Sequence, residues 1–173
     1  MSYRRHLLVA RDDRPLPELY ALRPYRRSVV GNRTRDDNWQ VCSLDSGAGL
    51  GDSVSLLVEV AAETHTAALL ASFTEGGCAA VEGFSRPYGY WQSVLGTGHA
   101  AACPALESPV FSAEEAAAGA AKWAEAASRP VPPEALLEVL QAPVAPSADA
   151  VFEELLNRLG LTGVTDTSLA EIG

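Results

Sequence analysis

The sequence predicts an α+β fold: a mostly antiparallel sheet containing a meander, one crossover helix, and about three C-terminal helices packed on a sheet face. Short apolar runs separated by turn residues dominate the chain up to residue 95, and helical periodicity with capping residues dominates 112–160. A single helical pattern interrupts the strands. The length of 173 residues and the hydrophobic content of 47% suit one domain, which we assign to 1–160, with 161–173 as a loose tail.

The N-terminal part of the chain predicts three short strands, at residues 6–10, 28–30 and 39–44. Prolines after the first strand indicate a loop with one helical turn at 18–22. Gly31 and Asn32, and later residues 36–38, are turn formers that separate the next two strands.

The crossover helix is predicted after a glycine-rich break at 47–51. Asp52 or Ser53 is suited to cap its N-terminus. The apolar residues that recur at helical spacing, and so predict its buried face, are Val54, Leu57, Val58, Ala61 and Ala62. The same segment also has strand-forming valines, but the spacing favours a helix.

Three strands at 67–74, 78–85 and 90–95 follow. They are separated by Glu75-Gly76-Gly77 and by Arg86-Pro87-Tyr88-Gly89, whose lengths and residue types predict hairpins. The three strands are therefore expected to form an antiparallel meander.

The last third of the chain predicts three helices. Ser112 and Glu115 form a capping box for a helix over 113–127, which Pro130 ends. Pro133 suits the first turn of a second helix that runs to about 141. Ser147 can cap a third, which Gly160 ends; its predicted buried face is Val151, Phe152, Leu155, Leu156 and Leu159.

Part of this pattern resembles a group of alanine-rich proteins from actinobacteria. The similarity lies in residues 68–79, in Trp91 on the next strand, and in residues 122–127, and it spans about 40–160. That group has no assigned activity, so the resemblance implies an order of elements and no functional residues.

The net charge of −9 is unevenly distributed. Residues 1–35 carry nine arginines against three acidic residues, whereas the remainder carries four basic residues against nineteen acidic ones. Phosphate would be repelled by this acidic remainder, so nucleic-acid binding is not favoured. We expect the arginines to neutralise the protein's own acidic body, or that of a second copy in a homodimer.

Compartment and membrane association are predicted from cysteines and hydropathy. The three cysteines show no CxxC spacing, and the N-terminus does not match a secretory signal, so we expect reduced thiols and a cytoplasmic location. No apolar segment is long enough to cross a bilayer.

The hairpin around 86–89 provides the candidate interaction residues Arg86, Tyr88, Tyr90 and Trp91. Tyrosine, tryptophan and arginine are enriched where proteins bind one another. Since Tyr90 and Trp91 alternate along a strand, one of them is expected to be exposed or to lie under a helix. Glu82, on the preceding strand, is expected to face solvent.

A weaker alternative site combines the loop at 47–52 with a histidine and a cysteine. A glycine-rich turn before a helix can bind phosphate, but Gly49 and its neighbours depart from the GxGxxG and P-loop spacings, and Asp52 would repel an anion. His99 and Cys103 are four residues apart, too few ligands for a metal site. We expect no metal, no cofactor and no catalytic set.

These observations leave three functional hypotheses. The leading one is a non-enzymatic binding or regulatory protein that acts through a protein–protein surface, for example as an immunity-type or antitoxin-like partner of a basic protein. The second is a small-molecule-binding domain or enzyme with its site at the 47–52 loop. The third is nucleic-acid binding through the N-terminal arginines.

Overall fold

The computed structural model describes residues 3–45, 50, 52–74, 78–95, 111–142 and 147–162. Its strands are β1 (Tyr3–Arg11), β2 (Val29–Thr34), β3 (Trp39–Asp45), β4 (Ala68–Thr74), β5 (Ala79–Ser85) and β6 (Gly89–Val94). They form a six-stranded sheet in the order β2-β3-β1-β4-β5-β6, with every neighbouring pair antiparallel. With the helices below, this confirms the predicted α+β class.

The α-helices are α1 (Ser53–Thr64), α2 (Ala113–Ala126), α3 (Pro133–Gln141) and α4 (Ala148–Arg158). The caps predicted for them are present. Asp52 accepts hydrogen bonds from the backbone of Val54 and Ser55, Ser112 and Glu115 form the capping box, and Ser147 caps α4. Because a cap satisfies backbone N–H groups that the helix cannot, these residues fix where each helix begins.

The sheet is covered on both faces. On one face α1 and a 3₁₀ segment (Tyr20–Ser28) pack against Leu8, Ala10 and other alternate residues of the strands. On the other face α2, α3 and α4 pack against Val9 and the residues in phase with it. Helix α1 joins β3 to β4, which both flank β1, so α1 is the predicted crossover.

The N-terminal part differs from expectation in two elements. Strand β2 is longer than predicted, and Gly31 and Asn32 pair with β3 instead of forming a turn. The predicted single turn at 18–22 is a 3₁₀ helix over Leu16–Glu18 followed by the longer segment Tyr20–Ser28, which contains Pro24. A 3₁₀ helix at this position accommodates the prolines, which an α-helix interior would not.

The tail predicted at 161–173 begins as ordered chain. Leu161 is buried, its carbonyl accepts a hydrogen bond from the Arg35 guanidinium at 2.8 Å, and the Asp36 N–H donates to the carbonyl of Thr162 at 3.2 Å. Residues 161 and 162 are thus held against the folded chain, and 163–173 lie outside the described residues.

The buried face of helix α1 overlaps the predicted one only at Leu57 and Ala61. Its buried residues are Leu56, Leu57, Val60 and Ala61, whereas Val54 and Val58 are 37% and 40% exposed. Apolar residues occur on both possible faces, so periodicity does not discriminate between them. The observed orientation buries the two leucines, which are larger.

Candidate functional site

The structure separates the four predicted interaction residues. Arg86 and Tyr88 are exposed in the β5–β6 turn, Tyr90 is half-buried on the α1 side of the sheet, and Trp91 is 2% exposed on the α2 side. The prediction that Tyr90 and Trp91 face opposite sides is confirmed. Trp91, however, lies beneath α2 and offers no surface to a partner.

Two glycines make the space that Trp91 occupies. A Cβ atom at Gly83 would lie 2.3 Å from Trp91 Nε1, and a Cβ atom at Gly119 would lie 2.6 Å from Trp91 Cβ. The tryptophan thus packs between β5 and α2, where only residues without a side chain leave room for it.

Tyr90 belongs to a polar cluster on the α1 side. Its hydroxyl donates to Glu82 Oε1 at 2.7 Å and lies 2.8 Å from Gln92 Oε1, while the Ser53 hydroxyl donates to the same Glu82 oxygen at 2.8 Å. Burial, and then the hydrogen bond to the carboxylate, raise the pKa of Tyr90, so it remains a neutral donor. Glu82 is therefore half-buried and bonded to both α1 and β6, whereas the sequence predicts a side chain that faces solvent.

The exposed valines of α1 lie beside this cluster. Successive helical residues are rotated by about 100°, so Val54 and Val58 project from the flank opposite Glu63. Glu63 accepts hydrogen bonds from the backbone of the 3₁₀ segment, at Tyr20 and Ala21. The valine flank must then point toward β5 and β6.

We call this surface the α1–β5 face and define it by its apolar members Val54, Val58, Phe84 and Tyr90 and its carboxylates Asp52 and Glu82. Phe84 and Tyr90 are half-buried against the core beneath α1, and Asp52 is close enough to Tyr90 to contribute to its pKa shift. Hydrogen bonds from Ser55 hold the pKa of Asp52 below its usual value, so this residue is charged at neutral pH. Helical periodicity assigns the two valines to the core, so the sequence does not predict their exposure.

The weaker alternative site is not assembled in the described part of the chain. The Asp52 carboxylate is engaged in capping α1 and in a 2.7 Å hydrogen bond from the Ser55 hydroxyl. Gly49, His99 and Cys103 lie outside the described residues. Asp52 thus has a structural role at the N-terminus of α1.

The cysteines differ from expectation. Cys42 is a buried free thiol whose pKa is raised to about 12 by burial, whereas Cys78 is disulfide-bonded. The expectation of three reduced thiols is therefore wrong, and a cytoplasmic location loses the support it drew from them. No group of three or more histidine, cysteine or acidic side chains suited to a metal ion occurs among the described residues.

A polar cleft of about 560 Å³ opens between the C-terminal ends of α1 and α2, on the loop that follows β1. Most of its charged side chains are engaged within the protein. Arg14 contacts Asp12 at 3.1 Å and Glu63 at 3.3 Å, Arg11 pairs with Asp37 at 3.2 Å, and Asp13 accepts a hydrogen bond from the Asn38 amide at 3.1 Å. These contacts hold the connecting segments together.

A serine–histidine pair lies inside the sheet. His6 Nδ1 and Ser72 Oγ are 2.8 Å apart on paired positions of β1 and β4, and the two residues are 6% and 5% exposed. Burial lowers the pKa of His6, so its imidazole is neutral at physiological pH. A substrate could not reach the serine without displacing the layer above it, so this pair is a buried polar contact of the core.

Comparisons with family models, with curated proteins and with solved structures found no match. The resemblance to alanine-rich actinobacterial proteins thus stays a prediction. None of the helices within the described ranges combines the length and apolar character needed to span a bilayer.

Proposed function

We propose that this protein is a non-enzymatic binding protein that acts through a protein–protein surface, and that the α1–β5 face is the centre of that surface. The observation that carries the proposal is the exposure of Val54 and Val58 on α1, the helix whose buried face shares a core cluster with the half-buried rings of Phe84 and Tyr90. Branched apolar and aromatic side chains placed together on a surface gain free energy when a partner covers them.

The polar groups of the face favour a partner with a basic rim. The carboxylates of Asp52 and Glu82 stand beside the apolar residues, and neither makes an ion pair with a basic side chain of the described chain. A lysine or arginine of the partner would complement them. An immunity-type or antitoxin-like protein that covers a basic partner is one form of this function.

The β5–β6 turn lies at the edge of the proposed binding surface. Tyr88 is 47% exposed and Arg86 is exposed beside it, so both can extend a contact that is centred on α1. Residues at the rim of an interface contribute less than residues at its centre. We therefore assign specificity to the turn and most of the affinity to Val58, Tyr90 and Phe84.

A capture experiment with a matched variant tests the proposal. Wild-type protein, Val58→Glu and Ala118→Glu are used as baits in the native lysate, and retained proteins and small molecules are identified by mass spectrometry. Ala118 is an exposed residue of α2 on the other side of the sheet, so it controls for an added charge on a helix. We expect a protein that both the wild type and Ala118→Glu retain and that Val58→Glu loses.

The purified partner then gives a quantitative test. Burying a glutamate against apolar groups weakens binding, and we expect the dissociation constant to rise about tenfold or more for Val58→Glu and less than about twofold for Ala118→Glu. Equal binding by both variants, or retention of a small molecule alone, would reject the α1–β5 face as the binding surface.

A further inference from the structure

The 3₁₀ segment Tyr20–Ser28 sorts its side chains into ridges. A 3₁₀ helix has three residues per turn, so residues three apart lie above one another. Leu22 is buried and Tyr25 half-buried on the inner ridge, whereas Tyr20, Arg23 and Arg26 form an outer ridge and are all exposed. Arg27 is exposed on the ridge next to it. We call Tyr20, Arg23, Arg26 and Arg27 the arginine ridge.

Several N-terminal arginines have acidic partners, but the guanidinium groups of this ridge, like that of Arg33 on β2, have none within the described chain. Four arginines elsewhere in residues 5–35 make ion pairs: Arg5 with Asp149, Arg11 with Asp37, Arg14 with Asp12 and Glu63, and Arg35 with Glu153. Within the described chain, Arg23, Arg26 and Arg27 make none. Neutralisation of the protein's own acidic residues therefore explains the role of Arg5, Arg11, Arg14 and Arg35. It does not explain the arginines of the ridge.

Two of the three ridge arginines make no hydrogen bond or ion pair with other described residues. Arg26 is held by the backbone, because its guanidinium donates to the carbonyls of Pro17 at 3.0 Å and Glu18 at 3.4 Å. Arg23 lies over the Tyr20 ring, 5.5 Å from its centroid, and that ring is 73% exposed. Arg27 makes neither kind of contact in the part of the chain that the structure describes. The ridge thus presents cationic groups around one large exposed aromatic ring.

An apolar residue continues the surface. Val30, three residues after Arg27, is 65% exposed at the irregular start of β2, where the pairing with β3 shifts register. A register shift and nearby charge protect an edge strand from pairing with another strand. A partner would therefore bind here through side-chain contacts and not by pairing a strand with β2.

From this combination we propose that the arginine ridge is a second binding surface, and that it takes an acidic segment of a protein partner. Carboxylates of such a segment would pair with Arg23 and Arg27, and its apolar side chains would cover Tyr20 and Val30. Arginine and tyrosine are the residue types that contribute most at protein interfaces.

A nucleic acid fits the same surface less well. Aromatic and arginine side chains together do suit single strands. However, residues 36–173 carry a large acidic excess, which a phosphate chain extending beyond the ridge would approach. Repulsion from these groups acts on a long polyanion and spares a short acidic segment.

The ridge lies beyond the Glu63 flank of α1, opposite the flank that carries Val54 and Val58. Binding at the ridge is accordingly independent of the α1–β5 face. A result that rejects one of the two surfaces therefore does not reject the other.

The test measures binding of labelled probes by fluorescence anisotropy at low and high salt. The probes are a short peptide of glutamate and leucine, the same peptide with glutamine in place of glutamate, and a short oligothymidylate. The double variant Arg23→Gln/Arg27→Gln removes the free charges and leaves Arg26 in place. The variant Lys122→Glu changes the net charge by the same two units at an exposed position of α2, outside both proposed surfaces.

We expect the wild type to bind the glutamate peptide, and to bind it more weakly as the Debye length shortens from about 10 Å at 0.1 M salt to about 3 Å at 1 M. Affinity should fall about three- to tenfold in Arg23→Gln/Arg27→Gln and stay within about twofold of wild type in the control. The glutamine peptide should not bind. Both variants should have the same melting temperature as the wild type, because neither loses an ion pair within the described chain.

Three outcomes would overturn the proposal. Tighter binding of oligothymidylate than of the glutamate peptide, lost in the ridge variant, would assign the ridge to nucleic acid. Self-association at low salt that the ridge variant abolishes would make the acidic surface of a second copy the occupant. Binding of no probe at low salt would show that the ridge holds no acidic ligand.

Discussion

Gly119 of α2 packs directly onto Trp91 of β6, so that a methyl group at residue 119 would stand 2.6 Å from the Trp91 Cβ atom. That distance is too short for two carbon atoms in contact. The atom it would meet is attached to the backbone of a sheet strand and cannot swing aside. The separation between α2 and the sheet is thus set by a glycine in an otherwise alanine-rich helix.

Gly119→Ala should destabilise the protein. Alanine in a helix gains about 1 kcal/mol over glycine. Overpacking of a core costs about 1–3 kcal/mol, and we expect the larger value here because Trp91 is fixed between two elements. Chemical denaturation should therefore show a net loss of unfolding free energy of up to about 2 kcal/mol.

Gly31→Ala provides the matched control for that substitution. A Cβ atom at residue 31 would meet nothing within 4 Å, and its φ does not require glycine. We expect a change within about 0.5 kcal/mol. A Gly119→Ala protein as stable as Gly31→Ala would mean that α2 can move away from Trp91 at no cost.

The cysteines should give different thiol counts under different conditions. The sequence holds three cysteines, of which Cys42 is free and Cys78 is bonded. Titration of the unfolded protein should find one thiol without reductant and three after reduction. In the folded protein Cys42 should react slowly at about pH 8, because a pKa of about 12 leaves almost no thiolate and the side chain is buried. Three thiols without reductant would contradict the disulfide.

Acid should destabilise the protein partly through His6. Burial lowers the pKa of this side chain from the usual 6.5, so the unfolded chain takes up a proton near pH 6.5 that the folded chain does not. Above about pH 6.5 neither state binds this proton, so His6 does not change the unfolding free energy. Below that pH only the unfolded state gains the proton, so the unfolding free energy falls as the pH drops. The dependence should be flatter in His6→Gln than in the wild type between about pH 7.5 and 5.5.

The slope of stability against pH, and not its absolute value, decides the His6 test, since the substitution also disturbs the contact with Ser72. His65→Gln, at an exposed histidine, controls for loss of a histidine as such. Equal slopes in His6→Gln and the wild type would show that His6 is protonated as easily in the folded protein as in the unfolded one.

Helix ends and hairpins were predictable from sequence because local chemistry determines them. Ser112 with Glu115, Ser147 and Asp52 each bond to a backbone group within a few residues, and Gly89 supplies the positive φ that the β5–β6 turn uses. Such contacts need no information from distant parts of the chain.

Choices between two apolar faces were not predictable in this way. Periodicity assigned Val54 and Val58 to the core together with Leu57, and only the fit of α1 to the sheet exposes them. Trp91 likewise suited an interface by residue type, and what buries it is Gly119, twenty-eight residues away in sequence. The sequence therefore predicts candidate residues on β5 and β6, whereas the exposed apolar residues of the proposed surface lie on α1.

The last prediction concerns Arg35, whose role contrasts with that of the neighbouring Arg33. Arg35 is 5% exposed; its guanidinium donates to the Leu161 carbonyl at 2.8 Å and pairs with Glu153 on α4. In Arg35→Gln the carbonyl loses its charged donor, whereas Glu153, half exposed, is rehydrated. We expect a loss of about 1–3 kcal/mol in unfolding free energy, little affected by salt because the group is buried.

Arg33→Gln removes the same charge from an exposed residue of β2 that makes no ion pair in the described chain, and it should change stability by less than about 0.5 kcal/mol. Hydrogen exchange gives a local readout, since the Asp36 N–H bonded to Thr162 should lose protection only in Arg35→Gln. Equal stability of the two variants would mean that the chain after α4 is held by apolar packing of Leu161 and not by Arg35.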